Sequence, residues 1–585
     1  MRPFSLIRVL VLCLTALPAC FLGILILKFS VDVPFWDQWD IAHFFEKISR
    51  GSLSFGDLFA QQNEYRQFFP YIIFIALGWL TGWDVRYEML LSFFLACLVA
   101  FNIFRLGEVT LGGNLVPRLL VFLLSNLLVL SPMQYENWLF GIQVVYFMPI
   151  ACITTCMVVT YTSLGAKTKF LICMCLSTIS TFSSANGLLC WVLIPPVLVL
   201  SNPQHDLMKK KWLRLGWMVG FTLNVLLYLY DYQKPLHHPS LAEALIHPMQ
   251  AIYYFIVFLG TPLGVGRHPL LVAKVVGIVL TLAYVLSCIY SLKFSSDPAL
   301  ARRTICWLML GTYSVITAMM VTFGRLGFGV EQALSTRYTT FSLYLVVALV
   351  YLLPIIIEDI MNRSYLTINR SVIDQLISLA AVVLIMLHLL MLVPVSRQMS
   401  ERRRVLLQAK ASLLFINFVQ DESLTKNLFP NLPLLKEQAN SLDNLCYLRP
   451  GLIKSNRVQD IQGNFHSVAK DYGSFDGLSK AGHNVYLASG WATLPYRKEP
   501  ADVVLLAYEK GEDDSVVFQL AHIETERELV ATGEEFIARS VLRWQKSFTL
   551  DKLPTNPVMV SAWAFDANTG KAFKLDGVHV IQRAE

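Results

Sequence analysis

Long apolar runs separated by short polar segments dominate the first two thirds of the chain. A helix needs about 20 apolar residues to cross the hydrocarbon core of a bilayer. Eleven runs approach or reach that length, at about residues 9–29, 87–104, 119–133, 139–163, 170–182, 187–201, 212–230, 270–292, 304–322, 338–357 and 371–394. Two further stretches, 68–83 and 249–264, are rich in aromatic residues and glycine and are short for a full crossing. The pattern predicts a polytopic α-helical membrane domain over residues 1–394, with about eleven spans and two re-entrant or short segments.

The pattern changes after the last apolar run. The pattern of residues 395–440 predicts a helical connector. In residues 441–585, short runs typical of β-strands alternate with turns such as Lys510–Asp514 and Asp566–Gly570. This pattern predicts a soluble C-terminal domain rich in β structure, and we expect a β-sandwich-like fold.

Composition supports a membrane protein and excludes several other classes. Only 15% of the 585 residues are charged and 55% are hydrophobic, whereas soluble proteins carry about 25% charged residues. The net charge of +7 is spread over loops rather than gathered on one face, which argues against nucleic-acid binding. The chain has no P-loop and no dinucleotide-binding glycine motif, so no nucleotide cofactor is expected. No cysteine or histidine spacing predicts a metal site.

The distribution of basic residues predicts the orientation. If the two short stretches are re-entrant, the triple lysine Lys209–Lys211 and the pair Arg302–Arg303 lie in the cytoplasm, as the positive-inside rule requires. The N-terminus is then cytoplasmic and the C-terminal domain is extracytoplasmic. Arg402–Arg404 follow the last span closely and oppose this orientation.

This topology places six polar clusters on the outer face, which suggests one functional site. The first outer loop, residues 30–67, supplies two of them. The clusters are Phe35–Asp40, Asn63–Arg66, Gln134–Trp138 with Gln143, Ser183–Gly187, Tyr230–Tyr232 with Pro235–Pro239, and Gly324–Gly329 with Arg337 and Tyr338.

Asp37 and Asp40 are the strongest candidates for proton transfer. They are three residues apart and share a face if the segment is helical. A partly buried carboxylate has a raised pKa and can act as a general base. The alternative is an interfacial helix that Trp36 and Trp39 anchor at the membrane surface.

The other clusters offer cations and polar contacts for a substrate. Arg325 and Arg337 flank a glycine-rich loop, and arginine binds phosphate through two parallel hydrogen bonds. Acids at a membrane boundary, such as Glu136, suggest function, and two adjacent histidines suit hydrogen bonding to phosphate better than a shared metal. The full set of predicted donor-phosphate or substrate-binding residues is Glu64, Arg66, Glu136, Asn137, Gln143, Asn186, His237, His238, Arg325 and Arg337.

The combination of Val33–Asp40, Asn63–Arg66, Glu136–Asn137 with Gln143, and Gly324–Arg325 with Arg337–Tyr338 resembles the GT-C class of polyprenyl-phosphate-sugar-dependent glycosyltransferases. The layout is similar to bacterial serotype-converting O-antigen glucosyltransferases, with a first helix entering from the cytoplasm and a C-terminal outer domain. The resemblance implies that Asp37 is the catalytic base, with Asp40 as second choice. It also implies inverting transfer of a hexosyl group from a polyprenyl-phosphate donor to a glycan such as lipopolysaccharide O-antigen, on the outer face of the bacterial cytoplasmic membrane.

Two features of this interpretation stay open. A divalent cation as cofactor is neither predicted nor excluded. A transporter or flippase of lipid-linked glycan would use similar acids and arginines, and a structural membrane protein would also carry a soluble outer domain. A transporter, however, does not need a long outer loop with a base.

Overall fold

The computed structural model describes residues 6–112, 115–201, 211–235, 238–363, 370–464, 469–497, 499–511, 514–532, 535–554 and 557–582. The helices are α1 Leu6–Phe29, α2 Ala42–Ser49, α3 Phe55–Phe59, α4 Phe68–Thr81, α5 Arg86–Thr110, α6 Leu115–Val129, α7 Tyr135–Trp138, α8 Val144–Tyr161, α9 Ala166–Thr181, α10 Leu189–Leu200, α11 Lys211–Leu229, α12 Glu243–Ile246, α13 Pro248–Gly260, α14 Pro269–Lys293, α15 Pro298–Arg325, α16 Thr336–Asn362, α17 Arg370–Leu414, α18 Ser423–Asn427 and α19 Leu432–Asn444. The strands are β1 Gln61–Gln62, β2 Tyr65–Arg66, β3 Gly473–Lys480, β4 Val485–Ala492, β5 Val503–Gly511, β6 Asp514–Ala521, β7 Ile523–Thr532, β8 Glu535–Thr549, β9 Val558–Asp566 and β10 Lys571–Ile581.

Apolar helices of membrane-spanning length support the prediction of a membrane protein. Within the described residues, eight helices are long and apolar enough to cross a bilayer, and four further apolar helices are shorter. The predicted count of eleven is therefore not confirmed, although each predicted span falls on a helix. Three predicted spans account for the difference. Helices α9 and α10 contain only 16 and 12 residues. The side chains of α1 are described only from Thr15, and that part of the helix is short for a crossing.

The chain divides into two compact units. The first contains residues 1–30, 54–76 and 86–399, and the second contains residues 31–53, 77–85 and 400–585. The first outer loop is thus shared, because residues 31–53 pack with the C-terminal part of the chain and residues 54–67 pack with the membrane helices. For example, Trp36 N–H donates to Leu428 O (2.7 Å), and Val85 N–H donates to Asp32 Oδ1 (3.2 Å).

The antiparallel helices α15 and α16 give the first unit two distinct polar ends. At one end Arg303 pairs with Glu358 (2.5 Å). At the other end α15 finishes at Arg325 and α16 begins beside Arg337. Arg303 and Arg325 are 22 residues apart on one helix, or about 33 Å at a rise of ~1.5 Å per residue. That separation matches the ~30 Å hydrocarbon core.

The second unit contains one eight-stranded sheet in the order β6-β5-β9-β10-β3-β4-β8-β7. All neighbours are antiparallel except β10 and β3. Strand β6 also lies against β8, so the sheet closes nearly into a barrel. The expected β-sandwich is not confirmed. There is one curved sheet, and the side chains on its inner face pack against each other instead of against a second sheet.

Both faces of the middle strands are buried. On β5, Val504 and Leu506 face the interior with Trp544, while Leu505 packs on the other side against Phe415, which follows α17. A strand that is buried on both faces reads as a continuous apolar run, as residues 503–507 do.

The arginines that oppose the predicted orientation make contacts within the second unit. The Arg402 guanidinium lies 4.8 Å from the centre of the Phe35 ring, Arg403 approaches Glu499 (3.5 Å), and Arg404 pairs with Glu401 (2.5 Å) and donates to Ile523 O. These basic groups therefore have partners in their own domain.

Candidate functional site

A short hairpin positions the acid at the centre of the candidate site. Strands β1 and β2 pair Gln61 with Arg66 and Gln62 with Tyr65. The two-residue turn needs a positive φ, which Asn63 adopts at 51°. Asparagine tolerates that conformation better than most residues.

Glu64 joins two distant parts of the first unit. Its Oε2 accepts a hydrogen bond from Arg325 Nη2 (2.9 Å), and its Oε1 lies 2.5 Å from His238 Nδ1. The three side chains are only 17–23% exposed. An ion pair with this little solvent contact fixes its members more firmly than an exposed pair, so Glu64 holds the Arg325 guanidinium in place.

A second acid and arginine lie at the start of α16. Glu136 Oε2 accepts from the Arg337 backbone N–H (3.3 Å) and from Ser335 Oγ (3.2 Å), and it lies 3.8 Å from Arg337 Nε. Asn137 Nδ2 donates to Arg337 O (2.9 Å) and to Thr340 Oγ1 (2.5 Å). Glu136 and Asn137 thus fix the backbone of Arg337, while its side chain remains half exposed.

Tyrosines connect the two acid–arginine pairs. Arg325 interacts electrostatically with Tyr65, Tyr146 and Tyr338, and Arg337 interacts with Tyr146, Tyr338 and Arg325 itself. Burial raises the pKa of Tyr65, with the neighbouring Tyr146 and Glu64 adding to the shift. The Tyr65 hydroxyl therefore stays protonated and can donate to an anion.

The two guanidinium groups keep donors for a ligand. Arg325 Nε and Nη1, and Arg337 Nη1 and Nη2, donate to none of the residues that the structure describes. Two like charges repel each other in this partly buried setting. An anion between them would relieve that repulsion and accept their hydrogen bonds.

Arg66 has different surroundings from the other two arginines. Its side chain donates to three backbone carbonyls, those of Phe59 (2.7 Å), Tyr228 (2.9 Å) and Tyr230. It is 5% exposed. These bonds hold the hairpin against the end of α11. The predicted contact between Arg66 and a phosphate stays a prediction.

The remaining predicted residues of the first unit are buried or undescribed. Asn186 Nδ2 donates to Tyr313 OH (2.8 Å), and Gln143 is buried in the short helical turn before α8. His237 lies outside the described residues. Tyr146 and Ser335 also belong to the site, although the sequence pattern did not predict them. Tyr146 follows the predicted Gln143 by three residues, one turn of helix, which was the available signal.

Asp37 and Asp40 lie in the second unit, on a 3₁₀ helix from Trp36 to Ile41. Residues three apart eclipse each other in this helix type, so the two carboxylates share a face, as predicted. Both are partly exposed. Trp36 is exposed, but Trp39 is completely buried, so only Trp36 suits the alternative role of a membrane anchor.

Among the described residues, no group of three or more histidine, cysteine, aspartate or glutamate side chains comes together in a way that could hold a metal ion. No family model matches the chain, and neither a curated protein nor a solved structure matches it.

Proposed function

We propose that the protein is an inverting glycosyltransferase of the GT-C type. It transfers a sugar from a polyprenyl-phosphate donor to a cell-envelope glycan, such as O-antigen, on the outer face of a bacterial cytoplasmic membrane. The observation that carries this proposal is the pair Arg325 and Arg337, each positioned by an acid, at one polar end of the membrane helices.

The chemistry of the donor suits this pair. A polyprenyl phosphate holds its charged group at the membrane boundary and its chain in the bilayer. When the bond between the sugar C1 and the phosphate oxygen breaks, negative charge grows on the leaving phosphate. Preorganised cations stabilise that charge, and Arg325 and Arg337 supply them, with His238 beside them on Glu64.

The acceptor hydroxyl needs a base. The resemblance assigns this role to Asp37, with Asp40 as the alternative. The acceptor oxygen attacks C1 from the side opposite the phosphate, its proton passes to the carboxylate, and polyprenyl phosphate leaves. The configuration at C1 is inverted.

Purified protein incubated with polyprenyl-phosphate-linked sugars and a glycan acceptor tests the proposal. We expect release of polyprenyl phosphate and a new glycosidic bond of inverted configuration. A flippase would instead move intact lipid-linked sugar across proteoliposome membranes. Movement without transfer would therefore replace the proposed function with transport.

A further inference from the structure

A cavity of about 750 Å³ lies in the first unit beside the Glu64 turn. One wall is the segment from Phe55 to Arg66, and the other is the connector that follows α11, Tyr230 to Pro235. Ligand sites in proteins commonly have volumes of about 300–1,000 Å³. The cavity, here called the hairpin groove, is large enough for a ligand of several rings.

The walls of the hairpin groove are tied together before any ligand arrives. The Gln61 side chain makes two bonds with the backbone of Gln233, donating from Nε2 to O (2.6 Å) and accepting from N–H at Oε1 (3.0 Å). Arg66 adds a bond across the groove to Tyr230 O, and its bond to Phe59 O holds its own wall in place. A preformed groove loses little conformational entropy when it binds.

The surface of the groove combines aromatic rings with both donors and acceptors. Tyr230 and Phe55 are 70% and 68% exposed. The side chains of Asn63, Asp231 and Lys234 also line the groove, and they form no hydrogen bond or ion pair with any part of the chain that the structure describes. Exposed aromatic rings beside unused polar groups offer a stacking face and hydrogen bonds to one ligand.

The charge of the lining favours an uncharged ligand. Arg66 is bound to carbonyls, so the polar side chains left to the ligand are one cation, Lys234, one acid, Asp231, and the neutral amides of Asn63 and Gln233. A phosphate or an acidic sugar would meet Asp231 unfavourably. A neutral saccharide both donates and accepts through its hydroxyls, and its C–H face stacks on aromatic rings.

We infer that the hairpin groove binds the neutral sugar units of the acceptor glycan. The inference rests on the proposed function for the identity of the ligand as an acceptor. It also explains the order of residues in the turn: Asn63 lines the groove, while the adjacent Glu64 holds Arg325. Glycan and donor phosphate are therefore recognised on the two sides of one hairpin.

Direct binding tests this inference without depending on catalysis. The full chain in detergent is titrated with a panel of neutral oligosaccharides of bacterial surface polysaccharides, without any lipid donor, and saturation-transfer NMR reports the contacts. Tyr230→Ala should weaken binding about tenfold, the equivalent of roughly 1.4 kcal/mol for a lost aromatic contact, and Asp231→Asn should weaken it less. Tyr87→Ala, at an exposed tyrosine outside the groove, should leave affinity unchanged.

The outcomes separate this inference from the proposed function. Binding that Tyr230→Ala weakens supports the groove as a saccharide site even if no transfer is ever observed. An absence of binding, or equal binding by wild type and Tyr230→Ala, overturns the inference even if transfer is demonstrated. Retention on phosphatidylglycerol vesicles that Tyr230→Ala abolishes, with no saccharide binding, would also overturn it and make the groove a lipid contact.

Discussion

At the scale of single residues, the surroundings of an arginine decide what it can do. Each side-chain nitrogen of Arg66 donates to a backbone carbonyl. Arg325 and Arg337 each have two nitrogens that donate to no residue that the structure describes, and these could bind a ligand. All three arginines lie in polar clusters, and the sequence does not show which of them has free donors. Two of the carbonyls that bind Arg66 belong to residues more than 160 positions away, so a local pattern cannot reveal them.

Replacing Arg325 or Arg337 with alanine should impair use of the donor. Loss of a partly buried charge contact costs about 2–5 kcal/mol, which would appear in kcat/KM for the polyprenyl donor. Lysine should restore only part of the activity, since it lacks the planar fork. Arg267→Ala, at an exposed arginine, serves as the control. Wild-type kinetics in both alanine variants would leave the arginines with no role beyond headgroup contact.

The base can be tested by an isosteric change. Asp37→Asn preserves size but cannot take up the acceptor proton, and a general base typically contributes ~10²–10⁴-fold to rate. Turnover should fall by about that factor while donor binding persists. Asp40→Asn, on the same face of the 3₁₀ helix, should have the smaller effect. Full transfer by both variants would remove the catalytic role from this segment.

Asp502 should make stability depend on pH. Burial raises the pKa of its carboxyl from an ordinary 3.8 to about 6, against the opposing effects of the Ala567 N–H bond and of Arg403. Between these values the folded protein retains a proton that the unfolded chain has released. The contribution of Asp502 to stability is therefore greatest below pH 3.8 and is lost as pH rises through about 6, by about 3 kcal/mol in total.

Thermal unfolding of the full chain in detergent from pH 4 to 7.5 tests this linkage. Asn at position 502 can still accept the hydrogen bond from Ala567 N–H (2.7 Å) but does not titrate. The pH-dependent loss of Tm should be smaller in Asp502→Asn than in wild type. Identical slopes for the two proteins would show that Asp502 ionises normally.

At the scale of elements, the apolar pattern predicts where helices occur better than how they pack. The stretch 249–264 corresponds to α13, whose 13 residues extend about 20 Å, less than the ~30 Å core. Its association with α14 depends on glycines. An added Cβ would lie 1.8 Å from Ala273 O at Gly260, and 1.9 Å from Ile256 O at Gly277.

Gly277→Ala should therefore destabilise the membrane domain. Two helix backbones that approach this closely cannot accept a methyl group without moving apart, and overpacking costs about 1–3 kcal/mol. The measurement is Tm in detergent. Gly165→Ala is the matched control, since a Cβ there meets nothing within 4 Å. Equal Tm values for the two variants would mean that α13 and α14 are not in such close contact.

The second unit shows what local patterns leave out. The largely apolar run at residues 502–508 predicts a strand, and the structure confirms it as β5, which is buried on both faces over residues 503–507. Nothing in that run specifies that β6 returns to β8, because strand order depends on contacts between distant parts of the chain. The division of loop 30–67 between two units also depends on distant contacts. Trp36 N–H donates to Leu428 O, and Asp32 accepts a hydrogen bond from Val85 N–H.

At the scale of the whole molecule, the two polar ends of the first unit should lie on opposite sides of the membrane. Helix α11 begins at Lys211, and its last turn holds Arg66 through Tyr228 O. These points are 17 residues apart, or about 26 Å. The positive-inside rule predicts that the lysine end is cytoplasmic, so we expect the Glu64 cluster on the outer side. Arg402–Arg404 do not oppose this assignment strongly, because they have partners in their own domain.

Thiol labelling with a membrane-impermeant maleimide tests this orientation. In a background with serine at the exposed Cys20 and Cys175, the native exposed Cys446 reports the side of the C-terminal domain. Phe328→Cys, at a half-exposed position beside the Arg325 cluster, and Cys446 should react in intact cells. Lys211→Cys should react only after permeabilisation, because the positive-inside rule retains its loop in the cytoplasm. Reaction of both introduced cysteines in intact cells would require the short helices to cross fully. Protection of Cys446 alone would place the domain in the cytoplasm, where it could not act on a glycan at the outer face.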